Sequence, residues 1–330
     1  AVGTSSVGAW TATRTRLEQH REAGRGGGMA FTLRNPARAT EAQRLLRHAS
    51  TVVVGAWSYA QQVDEGPSGP RGRVARYATA DHYGRLQAAL ADVASALRDA
   101  GHRAAVYTDD NGLVDREAAW RAGVGWYGHN SNLLVPGVGS YVVLGAVVTD
   151  ATLPRARPPV ADGCGSCTRC IPACPTGAIV APGVIDAGRC LAWVVQSPDP
   201  IPRDLREAIG DRVYGCDDCQ EVCPPNRRTE KRLASSGALS VETDPGSWID
   251  PVAWLDLDDS DLLAAAGRWY VAGRDPNLIR RTLLVVIGNG PATPGAIHAV
   301  RRHLGHSHPQ VAEHAGWAAE RLAHRACSSV

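Results

Sequence analysis

The sequence has no run of about 18 apolar residues, the length that a membrane span requires, and no basic N-terminal segment leading into an apolar one. A membrane protein and a secreted precursor are therefore not expected, and the chain reads as soluble and cytoplasmic. Lysine is nearly absent, Lys231 standing alone against 34 arginines. With a formal net charge of only +2, this is a compositional bias more than a binding adaptation, and it permits a polyanionic partner without demanding one. Methionine occurs once, at Met29, so Ala1 is not an initiator and the natural start is expected to lie upstream. What is present is a globular composition: 330 residues with 44% hydrophobic content suffice for two or three packed domains.

Apolar runs of strand character, Thr51–Ala56, Ala104–Tyr107 and Tyr141–Val148, alternate with a helical pattern over Tyr83–Ala100 that places Leu86, Leu90, Val93 and Leu97 at helical spacing. This predicts an α/β domain over residues 1–155. The proline-rich stretch 153–160 leads into a cysteine-rich domain over 156–230. A helical tail is expected over 231–330, with amphipathic helices at Pro276–Gly288 and Pro309–Ala323. Segments 277–289, 294–304 and 309–322 suggest paired helices of a HEAT-type repeat.

The nine cysteines, clustered in one segment of a chain this long, point to metal ligation in a reducing compartment and away from disulfides. Cys164, Cys167, Cys170 and Cys174, followed by Pro175, spell C-x2-C-x2-C-x3-C-P, the run that wraps three thiolates around one cubane and sends the fourth to a second. Cys190 then stands alone, and Cys216, Cys219 and Cys223 spell C-x2-C-x3-C before Pro224. Eight thiolates match two [4Fe–4S] clusters and leave Cys327 as a free tail thiol. By the crossing rule of two-cluster ferredoxins, Cys164, Cys167 and Cys170 share a cluster with Cys223, while Cys174, Cys190, Cys216 and Cys219 hold the other. Structural zinc also uses C-x2-C pairs, but an eight-thiolate run with both C-P endings disfavours it.

The stretches CGSCTRCIPACPTGAI (164–179), VYGCDDCQEVCPPN (213–226), DDNGLVDREAAWRAGVGWYGHNSNLL (109–134), GSYVVLGAVVTD (139–150), ARYATADHYG (75–84) and NLIRRTLLVVIGN (277–289) resemble the epoxyqueuosine reductase family. The resemblance implies an α/β domain of nitroreductase-like or reductive-dehalogenase-like type holding base-off cobalamin, a two-cluster ferredoxin-like α+β domain delivering electrons to cobalt, and a HEAT-like tail that helps to grip tRNA. It implies removal of the epoxide oxygen of epoxyqueuosine as water, leaving an alkene, at the wobble position of a tRNA anticodon stem-loop. A monomer served by an external donor, such as a flavodoxin or a ferredoxin with its reductase, goes with that reading.

The family's proton donor lies seven residues before the Arg of a D-[ST]-x-P-x-x-E-R pattern. With that Arg on Arg116, the donor falls on Asp109. Desolvation beside a bulky apolar cofactor would raise such a carboxyl and let it deliver a proton near neutrality. Asp110 competes with it, and DDNG alone also reads as an Asx-type turn. The resemblance further makes Asn130, Ser131, Ser140, Gly145 and Thr149 candidates for backbone or hydroxyl contacts to the corrin amides. Where the family usually carries Lys, this chain has His129; it has His82-Tyr83 for Tyr-His, Pro225 for Trp, and Asp110 and Gly112 for a small hydroxyl and a Pro.

For RNA, the basic pairs Arg227–Arg228, Lys231–Arg232, Arg280–Arg281 and Arg301–Arg302 are candidate phosphate contacts. From Arg227 onward, 12 basic residues face 11 acidic ones, so any grip must come from patches. Two alternatives stay open: another cobalamin-dependent reductase acting on a small molecule, dehalogenase-like, and an iron–sulfur electron-transfer module without corrinoid.

Overall fold

The run Thr51–Ser58 is buried from Thr51 through Ala56 without alternation, as a strand covered on both faces must be. In the computed structural model, which describes residues 1–29, 31–61, 66–155, 157–236 and 246–328, this strand pairs antiparallel with Val2–Ser6 on one side and Val142–Thr149 on the other. Ala104–Thr108 joins the far edge of Val142–Thr149, again antiparallel, and completes a four-stranded sheet. The three strands read from the sequence thus fall within two residues of their observed positions, and the helix expected over Tyr83–Ala100 runs His82–Asp99.

Strand periodicity divides the sheet's two faces. Val52, Val54, Ala56, Leu144, Ala146 and Val148 enter one core with Trp10, Leu113, Ala118 and Ala119. On the opposite parity, Gly55 and Gly145 form a cross-strand pair, and the helix His82–Asp99 lies on them. A Cβ at Gly145 would stand 2.5 Å from Thr108 Cγ2 and 2.9 Å from Leu90 Cδ1, and one at Gly55 would stand 3.1 Å from Leu86 Cδ1. The two glycines therefore create the flat floor on which Leu86 and Leu90 are buried, each contributing roughly 1.5–3 kcal/mol. Asp81 caps the helix by accepting the Gly84 N–H at 2.6 Å.

The chain divides into two compact, discontinuous units: Ala1–Gln61, Asp81–Gly188 and Asp218–Ala238 make the first, and Gln62–Ala80, Arg189–Asp217 and Leu239–Val330 the second. The cysteine-rich segment contributes to both. Cys164, Cys167, Cys170, Cys174, Cys219 and Cys223 belong to the first unit, Cys190 and Cys216 to the second.

The second unit is built around the helix Asn277–Asn289. Its pattern suggested an amphipathic helix, yet every residue from Leu278 to Gly288 is buried. It is enclosed by apolar side chains of the helices Arg203–Ile209, Pro251–Leu255 and Pro309–Ser328, among them Leu205, Ile209, Leu255, Val311, Ala315 and Ala318. This corrects the expectation that Arg280 and Arg281 face RNA. Arg281 is 0% exposed, and its guanidinium donates to the carbonyls of Ser197 and Asp199 and to Gln310 Oε1. Arg280 pairs with Asp259 at 2.5 Å and donates to the Leu257 carbonyl. Both arginines satisfy loop carbonyls that a buried helix leaves without water. Among the described residues, no helix is long and apolar enough to cross a membrane.

Candidate functional site

The first cysteine run is shaped by an aspartate. Asp162 accepts the N–H groups of Cys164 and Gly165, at 2.9 and 3.3 Å, and Cys167 N–H then closes on the Cys164 carbonyl at 3.0 Å. Gly165 takes φ +54° in this turn, a conformation that disfavours a side chain. A short helix, Cys170–Ala173, follows and stops before Pro175. Cys223 arrives as the N-cap of the helix Pro224–Ser235, whose first turn Pro224 opens without needing an N–H.

These segments bring Cys164, Cys167, Cys170 and Cys223 together. Burial pushes the Cys223 thiol up to about 11, and the neighbouring charges of Cys164, Cys170 and Cys167 add to that. Cys170 is raised in the same way, by burial first and then by Cys164 and Cys167. Four thiolates that repel one another on a partly buried surface become compatible once a cation lies among them. This donor set fits a [4Fe–4S] cluster of the ferredoxin kind. Cys174 behaves differently. Burial raises it, but N–H and hydroxyl donors from Thr176 and the Ala178 N–H, 3.2 Å from the sulfur, outweigh that and hold it below the ordinary thiol value.

A second group of residues lies between the strands Trp126–Tyr127 and Leu133–Leu134, which pair as a hairpin. Asn130 Oδ1 accepts the Asn132 N–H at 3.2 Å, and its Nδ2 reaches the Cys219 carbonyl at 3.4 Å. Ser131, at φ +60°, donates its hydroxyl to the Gly183 carbonyl at 2.8 Å, while its own carbonyl accepts from Arg116 at 2.6 Å. Ser140 is buried in a network with Asn226 and Gln220: its N–H donates to Asn226 Oδ1 at 2.7 Å and its hydroxyl to Gln220 Oε1 at 2.9 Å. Gly145 has its open face covered by Leu86 and Leu90, and the buried Thr149 hydroxyl accepts the Ala151 N–H at 3.1 Å. The structure thus brings Asn130 and Ser131 together beside Arg116, and gives Ser140, Gly145 and Thr149 partners elsewhere in the scaffold.

The acids precede Arg116. Asp110 accepts the Gly112 N–H at 2.5 Å and closes an Asx turn. Asp109 sits at φ +51°, a strained left-handed conformation for a residue with a side chain, and its carboxyl accepts no hydrogen bond among the described residues. Burial, then the Asp110 charge, raises its pKa. Asp115, first residue of the helix Asp115–Arg121, is pushed up to about 8 by burial, which Arg116 opposes and the charges of Asp109 and Asp110 reinforce.

Residues 163–226 match the family of 4Fe-4S double cluster binding domains. An epoxyqueuosine reductase of Xanthomonas campestris is 35% identical over 264 residues, 76% of this chain and 70% of the relative. The chain belongs to the epoxyqueuosine reductase family. Other curated epoxyqueuosine reductases are matched over a smaller share of their own length, 60% in the Bacillus anthracis protein. Among solved structures, the epoxyqueuosine reductase of Bacillus subtilis, captured with its catalytic aspartate loop swung out of the active site, superposes with a TM-score of 0.88 at 26% identity, covering 98% of this chain and 86% of that one. An epoxyqueuosine reductase bound to an epoxyqueuosine-modified tRNA stem loop gives a TM-score of 0.86 at 25% identity, with the same coverage of both chains.

Within the epoxyqueuosine reductase family, this chain's departures have local explanations. His129 Nδ1 lies 2.8 Å from the Cys167 carbonyl, so the ring that replaces Lys holds the cysteine loop. His82 is buried, with its ring centroid 5.6 Å from that of Tyr59. Two residues escaped the sequence reading. Asp115 occupies the acidic position directly before Arg116 in the family pattern, which was the signal for it. Asn226, 0% exposed, ties Gly139–Ser140 to the second cysteine motif; its signal was its place after C-P-P.

Proposed function

We propose that the chain reduces epoxyqueuosine to queuosine in tRNA, in the cytoplasm, as a monomer fed by an external flavodoxin- or ferredoxin-type donor. Two [4Fe–4S] clusters and cobalamin are its cofactors. The observation that carries this reading is the convergence of Cys164, Cys167, Cys170 and Cys223 in a member of the epoxyqueuosine reductase family. The remaining assignment, of Cys174, Cys190, Cys216 and Cys219 to the second cluster, rests on spacing and on the double-cluster family match. The division into a cobalamin domain over 1–155, a ferredoxin-like domain over 156–230 and a HEAT-like tail over 231–330 belongs to the same proposal.

For cobalamin, the residues on hand are of two kinds. The side-chain polar atoms of Asn130, Ser131, Ser140 and Thr149 are committed within the protein, so a corrin would meet the backbone of the 128–131 turn rather than their side chains, and Gly145 would serve it only through the floor it gives the helix. Asp109 is different: its carboxyl is unpartnered among the described residues and holds a proton more firmly than an ordinary aspartate. That combination fits a bulky, largely apolar group at this loop. When bound, cobalamin supplies low-valent cobalt chemistry, and the clusters supply the electrons for it.

Asp109 acts as the general acid. Its carboxyl proton goes to the epoxide oxygen as the first C–O bond breaks, so that the oxygen becomes a hydroxyl instead of an alkoxide. Its departure as water, with cleavage of the second C–O bond, takes a second proton from solvent and the two electrons that the external donor supplies through the clusters. Asp110, its carboxylate committed to the Gly112 N–H, keeps the proton on Asp109 through its charge. Arg116 holds Ser131 in register with this turn. The exposed basic side chains Arg227, Arg228, Lys231 and Arg232 on the helix Pro224–Ser235 are the candidate phosphate contacts for the tRNA.

The test is anaerobic purification with cobalamin present, followed by iron, sulfide and cobalt analysis and an assay on epoxyqueuosine-containing tRNA. Eight irons with one cobalt and conversion to queuosine is the expected result. Eight irons without cobalt or turnover would overturn the reading in favour of an electron-transfer module.

A further inference from the structure

The hairpin strand Trp126–Tyr127 and the turn after it lie along the first cysteine loop, within the same compact unit. Trp126 is 9% exposed, and its indole N–H is buried without a hydrogen-bond partner. Its ring rests on the backbone just before Cys164: a Cβ on Gly163 would stand 2.8 Å from ring atoms Cε2 and Cζ2. Cε2 is bonded to Nε1, so the indole nitrogen lies beside the backbone that leads into Cys164.

His129 reaches the same loop three residues later. A carbonyl oxygen only accepts, so the 2.8 Å contact with Cys167 fixes the proton on His129 Nδ1 as the donor. A ring nitrogen of His129 also falls within 4.8 Å of Cys164 Sγ and an Asp162 carboxylate oxygen. Trp126 and His129 thus form one wall beside the ligands of a single cluster.

A buried indole donor left without a partner is destabilising unless an acceptor that is not a protein atom takes it. Cluster sulfides and thiolate sulfurs are such acceptors, and N–H···S hydrogen bonds favour the more negatively charged reduced cluster. We propose that Trp126 donates its indole N–H to a sulfur of the cluster held by Cys164, Cys167, Cys170 and Cys223, with His129 positioning the ligand loop, and that this pair raises that cluster's reduction potential above its companion-free value. The inference rests on the cluster assignment under the proposed function. It makes Trp126 a tuning residue and leaves its ring packing as a separate, structural duty.

The test is Trp126→Phe, which keeps a ring on Gly163 and removes the N–H, with His129→Asn as a second variant that withdraws the imidazole from Cys164. Each holoprotein is purified anaerobically, its iron counted, and its two midpoint potentials measured by redox titration followed by electron paramagnetic resonance. The expected result is full iron in Trp126→Phe, one midpoint displaced to a more negative value and the other unchanged, with His129→Asn displacing the same midpoint. Full iron with both midpoints at their original values in Trp126→Phe overturns the proposal. Loss of one cluster from Trp126→Phe also overturns it, since ring packing would then be the residue's contribution. Fewer than eight irons in the unaltered chain would instead defeat the cluster assignment, so the two failures are distinguishable.

Discussion

At the residue scale, the proposed reaction turns on two adjacent carboxyls that only geometry separates. Asp110 spends its carboxylate on the Gly112 N–H, whereas Asp109 stands unpartnered in a left-handed backbone with its proton affinity raised by burial and by Asp110. Asp109→Asn should therefore lower turnover by roughly 10²–10⁴-fold, the contribution of a positioned general acid, with iron content and tRNA affinity unchanged. Asp110→Asn keeps the turn acceptor and should cost far less; equal losses in the two variants would defeat the assignment. Asp115 adds a stability prediction. Its folded pKa of about 8 lies above its ordinary value, so the folded state binds the extra proton and stability falls as pH rises from about 4 to 8. Asp115→Asn should remove that slope and be the more stable protein above pH 8, as urea titrations at several pH values would detect. In the sequence, the two candidate donors were inseparable because adjacency says nothing about which carboxyl a turn consumes, and Asp115 was hidden as one more helix-opening acid.

At the scale of elements, periodicity carried most of the information. The strands and the helix His82–Asp99 were legible because both faces of the sheet are covered and the helix has one apolar stripe. The Cys-Pro punctuation likewise marked Cys164, Cys167, Cys170 and Cys223, which the fold brings together. What could not be read was the reason for small residues. Gly145 looks in sequence like a place for a cofactor to approach, and in the fold it is half of the Gly55–Gly145 floor beneath Leu86 and Leu90. Gly145→Ala should cost roughly 1–3 kcal/mol by overpacking that contact, seen as a lower melting temperature in apoprotein and holoprotein alike. A variant with unchanged melting temperature and diminished cobalt would return Gly145 to the corrin. The helix Asn277–Asn289 was also misread in kind: its two arginines gave it a polar face on paper, but they are folded inward onto carbonyls, which no helical period can reveal.

For the whole molecule, the sequence suggested three consecutive segments, and the described residues form two interrupted units with separate cores. Linear composition cannot disclose this, because residues 62–80 and 189–217 leave the first unit in the middle of apparently continuous domains. Separate cores give the units separate responses to pH. In the second unit, His314 is 0% exposed; its Nε2 accepts the Ile201 N–H at 3.2 Å and its Nδ1–H donates to the Gln310 carbonyl at 2.6 Å. Both nitrogens are thus used in the neutral form, and burial, followed by the Arg206 charge, lowers the pKa to about 4. The folded state then binds fewer protons than the unfolded chain between about pH 6.5 and 4. Stability is complete above that window and is lost as pH falls through it, by up to about 1.4 kcal/mol per pH unit for this one group. This slope is opposite in sign to the one from Asp115 in the first unit. His314→Gln offers Ile201 an acceptor that cannot be protonated in this range, so it should flatten the acid limb of the second unit while leaving the Asp115-dependent limb of the first intact. Hydrogen exchange resolved by segment at pH 4.5 and 7.5 would separate the two: protection over residues 277–289 should fall on acidification in the parent chain and hold in the variant, and a parallel loss in both would mean that His314 is not the titrating group.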